Sequence, residues 1–403
     1  MVYCLNMPPC SIYIHIPFCV HRCAYCDFNT YAGYDFLIPD YVEALCKEIT
    51  LVSRSAGNPL PIHTIFFGGG TPSLLPSQSI QRILSTLEQN FNLQSDIEIS
   101  LEANPGSLTY QYLREIRNLG VNRLSLGMQS ANTAELRLLE RQHDFGEVIR
   151  SVSWARQAGF TNLNLDLIFG LPYQSLEAWE GNLLKALELE PDHLSLYALT
   201  LEHGTPMQHW VNRGLLPEPD PDLAADMYEY SMDLLEQEGY VQYEISNWAR
   251  QTLENKPISC EHNLQYWRNL PYLGFGAGAH GSAAGLRVAN VLAPAVYIQR
   301  CLEQVSTKET PFPCSPATAM IQKIDHPAEM GETMIMGFRL TIEGISKSVF
   351  YDRFGIPLEQ VYGKEINDLI GKGLLESSGE GGDTLRLTRH ARLLGNQVFM
   401  QFV

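Results

Sequence analysis

SIYIHIPFCVHRCAYCDF, residues 11–28, sets the architecture of the chain. Its first six residues are mostly β-branched or aromatic, the composition of a strand. They run directly into a loop that carries Cys19, Cys23 and Cys26, so three thiols sit at the C-terminal end of a first strand. Further β-rich runs follow: HTIFF from His63, IEISLE from Ile97, RLSLGMQ from Arg123, NLNLDLIF from Asn162 and HLSLYAL from His193. Between them lie amphipathic stretches of helical period, among them DYVEALCKEITLVS from Asp40, SIQRILSTLEQNF from Ser79 and LTYQYLREIRNLG from Leu108. Such alternation builds a parallel sheet from βα units, and a spacing of about 30 residues per unit suits a βα barrel. Six units fall short of the eight that close a barrel. The expected fold is therefore α/β, a partial (β/α)6 barrel, with a doubly wound sheet as the alternative.

A chain of 403 residues exceeds what one core usually holds, so a second, smaller unit is expected. The stretch from Val305 to Pro327 is rich in Pro, Ser and Thr and reads as a linker. This predicts residues 1–304 as the barrel with its C-terminal extension, 305–327 as the linker and 328–403 as a small domain. In that last segment, helical patterns precede an alternating TLRLT and a final helix, the order of a winged-helix-like α+β unit. Its nearly balanced charge favours packing against the barrel over DNA binding.

The net charge of −17 repels phosphate backbones, so no nucleic-acid partner is expected. The opening MVYCLNMPPC has no basic region leading into an apolar run, and no later segment offers about 18 uninterrupted apolar residues. The expectation is a cytoplasmic protein with no membrane span. Nine cysteines, an odd number with one tight group, argue against a disulfide framework. Cys46, Cys301 and Cys314 read as small buried hydrophobes.

Thiolates are soft ligands favoured by zinc and by iron-sulfur clusters, and three within eight residues can wrap one compact centre. Structural zinc wants four protein ligands, and no fourth Cys or His pair follows at finger spacing, although His15 and His21 are near. A redox CxxC would not need Cys19. A four-iron cube on three cysteines leaves one iron open for an outside ligand. The spacing of CVHRCAYC, C-x3-C-x2-C with an aromatic before the third cysteine, resembles that of the radical S-adenosylmethionine (SAM) superfamily. The resemblance implies a radical SAM barrel with a [4Fe-4S] cluster on Cys19, Cys23 and Cys26. SAM would chelate the open iron, and an electron from the cluster would cleave its C–S bond.

The second strand leads into FFGGGTPS, where Gly68, Gly69 and Gly70 leave backbone groups uncovered; taken alone this is equally a tight strand-to-helix turn. The third and fourth strand ends present Glu102 and Gln129 at the same rim, and Arg141 and Asp166 add to the polar set, with a structural Asp166–Arg141 pair as the plain alternative. HIPFC, CDFN, FFGGGTPS, EANPG, GMQS, DLIFGLP and YALT resemble the coproporphyrinogen III dehydrogenase group and its relatives over nearly the whole chain. That resemblance implies SAM contacts from Tyr13, Gly69, Gly70, Thr71, Glu102, Gln129, Arg141 and Asp166.

Two branches share this site, the oxygen-independent coproporphyrinogen III oxidases and the HemW-type heme chaperones. The oxidases carry another cysteine two places after the third, where this chain has Phe28, and a longer segment before the motif, where only 18 residues precede Cys19. The run CEHNLQYW from Cys260 resembles the HNxxYW motif of the chaperones and makes His262 the candidate heme ligand, with Tyr266 and Trp267 able to lie along a porphyrin face. From spacing alone His262 reads as a packed histidine and only the resemblance makes it the candidate ligand; neither Cys260 nor His280 is assigned a role. LERQHD departs from the chaperones, which more often have a glycine before the arginine; Arg141 itself is retained. The resemblance implies a carrier whose partners are heme, heme-accepting proteins and an electron donor. The alternative is oxidative decarboxylation of coproporphyrinogen III.

Overall fold

The computed structural model describes residues 9–303 and 310–403. Contacts divide the chain into two units, one of residues 1–231 and 271–322, the other of 232–270 and 323–403.

The first unit starts from β1 (Cys10–Ile16), whose alternation decides which way each side chain faces. Ile12, Ile14 and Ile16 are buried on one face, while Ser11, Tyr13 and His15 share the other. The same alternation recurs in β2 (Pro61–Gly69), β3 (Asn92–Ala103), β4 (Arg123–Gln129), β5 (Leu163–Phe169) and β6 (His193–Ala198). All six lie parallel in chain order, as expected. Leu101, Leu124, Leu165 and Leu194 take the apolar face, and Ser100, Ser125, Asn164 and His193 the polar one. That polar face is satisfied from strand to strand. Asn164 Nδ2 donates to Ser125 Oγ at 2.7 Å, and His193 Nδ1 lies 2.6 Å from Asn164 Oδ1.

The crossovers are α1 (Ile38–Ser55), α2 (Ser77–Asn90), α3 (Tyr110–Asn118), α4 (Phe145–Gln157) and α5 (Leu176–Leu187). In α2, Ile80, Ile83, Leu84 and Leu87 are buried at helical spacing, the stripe that covers a sheet. Pro39 opens α1 and an Asp144–Glu147 capping box opens α4.

The barrel is extended at its β1 edge. Tyr272–Phe275 pairs parallel with β1, and the antiparallel hairpin His280–Ala283 and Leu286–Asn290 follows. A side-chain carbon at Gly276, which has φ of 105°, would lie 2.5 Å from the His15 carbonyl oxygen, so the glycine-rich run lets this segment close on the first strand. Glu48 of α1 ties the extension down. Its buried carboxylate accepts from Gly276 N at 2.9 Å, Asn290 Nδ2 at 2.7 Å, Tyr297 OH at 2.6 Å and Ser315 Oγ at 2.7 Å. The last of these fixes part of the expected linker to the first unit; residues 305–309 of that linker lie outside the described residues.

The second unit holds the expected winged-helix-like arrangement. Helices His326–Gly337, Lys347–Phe354 and Leu358–Gly371 pack with an antiparallel sheet of Ile345–Ser346, Thr384–Leu387 and Leu375–Ser378 around Met334, Phe338, Phe350, Leu369 and Leu385. It also takes in residues 232–270, which lie well before the boundary read from the sequence. The hairpin Tyr240–Glu244 and Asn247–Arg250 is the reason: Ile245 N donates to Arg339 O at 3.2 Å and Thr341 N to Tyr243 O at 3.1 Å, over a cluster of Tyr243, Ala249, Leu264 and Leu340. Among the described residues no helix is long and apolar enough to cross a membrane.

Candidate cofactor site at the strand ends

The cysteine loop is stitched to the chain at its base. Gly70 N donates to Ile16 O and Thr71 N to Phe18 O, both at 2.8 Å, so the loop and the glycine segment are held edge to edge. Tyr31 N returns to Pro17 O at 2.7 Å, and His15 Nε2 lies 2.9 Å from Asn29 O. The glycines are required by space. With φ of 113°, Gly69 has its would-be Cβ 2.5 Å from the His15 ring, and one at Gly70 would sit 3.0 Å from Cys19 Sγ.

Cys19, Cys23 and Cys26 line one cleft of about 340 Å³ together with Gly69, Gly70, Thr71, Glu102, Gln129, Arg141 and Asp166. Ten of the residues singled out from the sequence thus converge on one space. Tyr13 lies behind that wall, its hydroxyl 3.0 Å from His15 Nδ1 and its ring against Phe66. Phe28, at the place of the oxidases' further cysteine, stands 62% exposed on the cleft rim.

The chemistry of the lining is divided. Glu102 Oε2 accepts from Gly69 N at 3.1 Å; burial, then the nearby charge of Asp166, pushes its carboxyl up to about 8. Asp166 is also raised by burial, against bonds from Ser125 Oγ at 2.9 Å and Asn164 Nδ2 at 2.7 Å. Arg141 places Nη1 3.5 Å from Cys23 Sγ, and Thr71 Oγ1 lies 3.7 Å from Cys19 Sγ. Burial raises the Cys19 and Cys26 thiols, so a metal centre loading here must displace protons. Among the described residues no three His, Cys, Asp or Glu side chains gather tightly enough for a single metal ion. Three cysteines on one loop facing the cleft match the donor set of a cluster whose remaining iron is left to an outside ligand.

Two lining residues lie inside the quoted motifs EANPG and CVHRCAYC without having been given a role there. Asn104, one residue past β3, binds both Arg141 and Thr71. Tyr25 lines the cleft between Cys23 and Cys26 in the chain. Their signal was positional, next to residues already chosen.

His262 belongs to the second unit, on the helix Glu261–Trp267. It is 1% exposed, with Nε2 2.9 Å from the Tyr266 hydroxyl and its ring edge-on to Tyr266 at 5.0 Å. As it stands it is a packed histidine held by Tyr266.

Cysteine loop, glycine segment and strand-end carboxylates on six successive parallel strands define a radical SAM protein, and residues 13–185 match the Radical SAM superfamily. Residues 324–394 match the HemN C-terminal domain. The chain is 37% identical over 394 residues to the heme chaperone HemW of Bacillus subtilis, covering 98% of this chain and 99% of the relative. It is 36% identical to that of Escherichia coli, covering 99% of each. Coproporphyrinogen III oxidase from Escherichia coli shares the fold, with a TM-score of 0.80 at 24% identity over 98% of this chain and 90% of that one. The chain belongs to the HemW family of radical SAM proteins.

Proposed function

We propose that this chain is a heme carrier that binds heme and passes it to acceptor proteins, and that it holds a [4Fe-4S] cluster on Cys19, Cys23 and Cys26 with SAM in the adjoining cleft. The observation that carries this reading is the convergence of those thiols with the polar strand ends in a chain that aligns end to end with heme chaperones. The bound cluster supplies one-electron chemistry. The chain's own residues do the holding: Gly69 and Gly70 leave room for a ligand's amino group, Arg141 faces a carboxylate, and Glu102 and Asp166 accept from ribose hydroxyls. Gln129, at the end of β4, meets the ligand's polar edge, and Tyr13 fixes His15 behind the glycines. His262 is the proposed heme ligand. Localisation in the cytoplasm and an electron-donating partner belong to the same reading.

Phe28 favours the carrier over the oxidase, because an apolar ring stands where the oxidases have a thiol. The test is a paired assay on one anaerobically reconstituted sample. Coproporphyrinogen III with SAM and dithionite is expected to give no protoporphyrinogen IX, while added heme gives a spectrum that His262→Ala alters. Turnover of coproporphyrinogen III would contradict the carrier, and an unchanged spectrum in the variant would move the heme ligand elsewhere.

A further inference from the structure

Asn104 uses both ends of its amide inside the cleft. Its Oδ1 accepts from Arg141 Nη2, and its Nδ2 donates to Thr71 Oγ1 at 3.0 Å. Each neighbour then reaches a cysteine, Thr71 Oγ1 to Cys19 Sγ at 3.7 Å and Arg141 Nη1 to Cys23 Sγ at 3.5 Å. The direction of the chain is unambiguous. A guanidinium has no acceptor, so Asn104 presents oxygen to Arg141 and nitrogen to Thr71; the Thr71 hydroxyl, having accepted from Asn104, spends its one proton on Cys19. Gly127 O accepts from Arg141 Nη2 at 3.0 Å and fixes the arginine from the other side. The third sulfur has a weaker partner, Thr30 Oγ1 at 4.0 Å.

We infer that Asn104 is a positioning residue that sets the electron affinity of the cluster, by holding one hydrogen-bond donor on each of two ligating sulfurs. This rests on the proposed cluster at Cys19, Cys23 and Cys26. Hydrogen bonds to cluster sulfurs stabilise negative charge, and the reduced cluster carries one electron more, so donors held in place favour reduction. The step concerned is uptake of one electron from a reductant, with no bond made or broken. A neutral amide suits the post: an aspartate there would lose the donor to Thr71, and an aliphatic residue would release both legs.

The test compares reconstituted wild type, Asn104→Ala, Thr71→Val and the double variant. Iron and sulfide are assayed first, then the midpoint potential by anaerobic dithionite titration followed by electron paramagnetic resonance. All four are expected to take up a full cluster. In Asn104→Ala the ratio of reduced to oxidised cluster at the wild-type midpoint falls about tenfold, equivalent to about 59 mV for one electron. Thr71→Val shows part of that shift, and the double variant shows less than the sum, because one leg runs through both residues. Full iron with an unmoved midpoint in Asn104→Ala overturns the inference. Should that variant take up no iron, Thr71→Val against Thr71→Ser decides it: a shift restored by serine supports the relay, and equal midpoints overturn it. A wild type that binds no four-iron centre overturns the cluster reading itself, and this is visible in the iron assay before any potential is measured.

Discussion

Glu102 sits in an environment that its sequence position does not announce. A carboxyl pushed up to about 8 by burial and Asp166 keeps its proton in the folded chain well above the pH at which the unfolded chain releases it. Between the ordinary carboxyl range and about pH 8 the folded state binds more protons, so stability from this group is full at low pH and declines as pH rises through that window. For the cluster-free protein, denaturant titrations at about pH 5 and about pH 8.5 should show this decline, and Glu102→Gln should flatten it; an equal slope in both would contradict the assignment. The carboxylate itself was legible, because a strand end in a βα series presents its side chain at the rim. Its protonation was not, because that depends on Asp166, two strands away across the barrel. Asn104 escaped for a similar reason: its value lies in two partners 33 and 37 residues distant.

At the scale of elements, the six strands and their crossovers were readable because alternation and helical period are local properties. The extension at the β1 edge was not. PYLGFGAGAHG looks like a turn by composition, yet Tyr272–Phe275 forms a parallel strand, since glycine there permits contact with β1 that composition alone does not announce. Helix α4 matters to the site through its start. Asp144 Oδ1 accepts from Glu147 N at 2.8 Å and Glu147 Oε2 from Asp144 N at 2.9 Å, immediately after the loop that carries Arg141. Asp144→Ala should cost about 1 kcal/mol and lower the melting temperature by about 2 °C. Calorimetry checks this; no change would mean that the loop and not the cap holds the helix start.

At the scale of the molecule, the division into units cuts across the order of the sequence. Residues 232–270 depend on 323–403, because the hairpin Tyr240–Glu244 and Asn247–Arg250 places Tyr243 and Ala249 in one cluster with Leu264 and Leu340. No linear boundary could have displayed this, since the covering residues lie about a hundred positions later in the chain. A chain ending at residue 322 should therefore expose Tyr243 and Leu264, bind a hydrophobic dye and associate in gel filtration; a monomeric, dye-silent fragment with a cooperative transition would contradict that dependence. The central claim concerns what the whole chain carries, and an anaerobic heme titration of the reconstituted protein, followed by visible absorption and by heme co-eluting with the chain, tests it most directly. The account predicts saturation near one heme per chain. Absorbance that rises without saturating, with no heme retained through gel filtration, would contradict it.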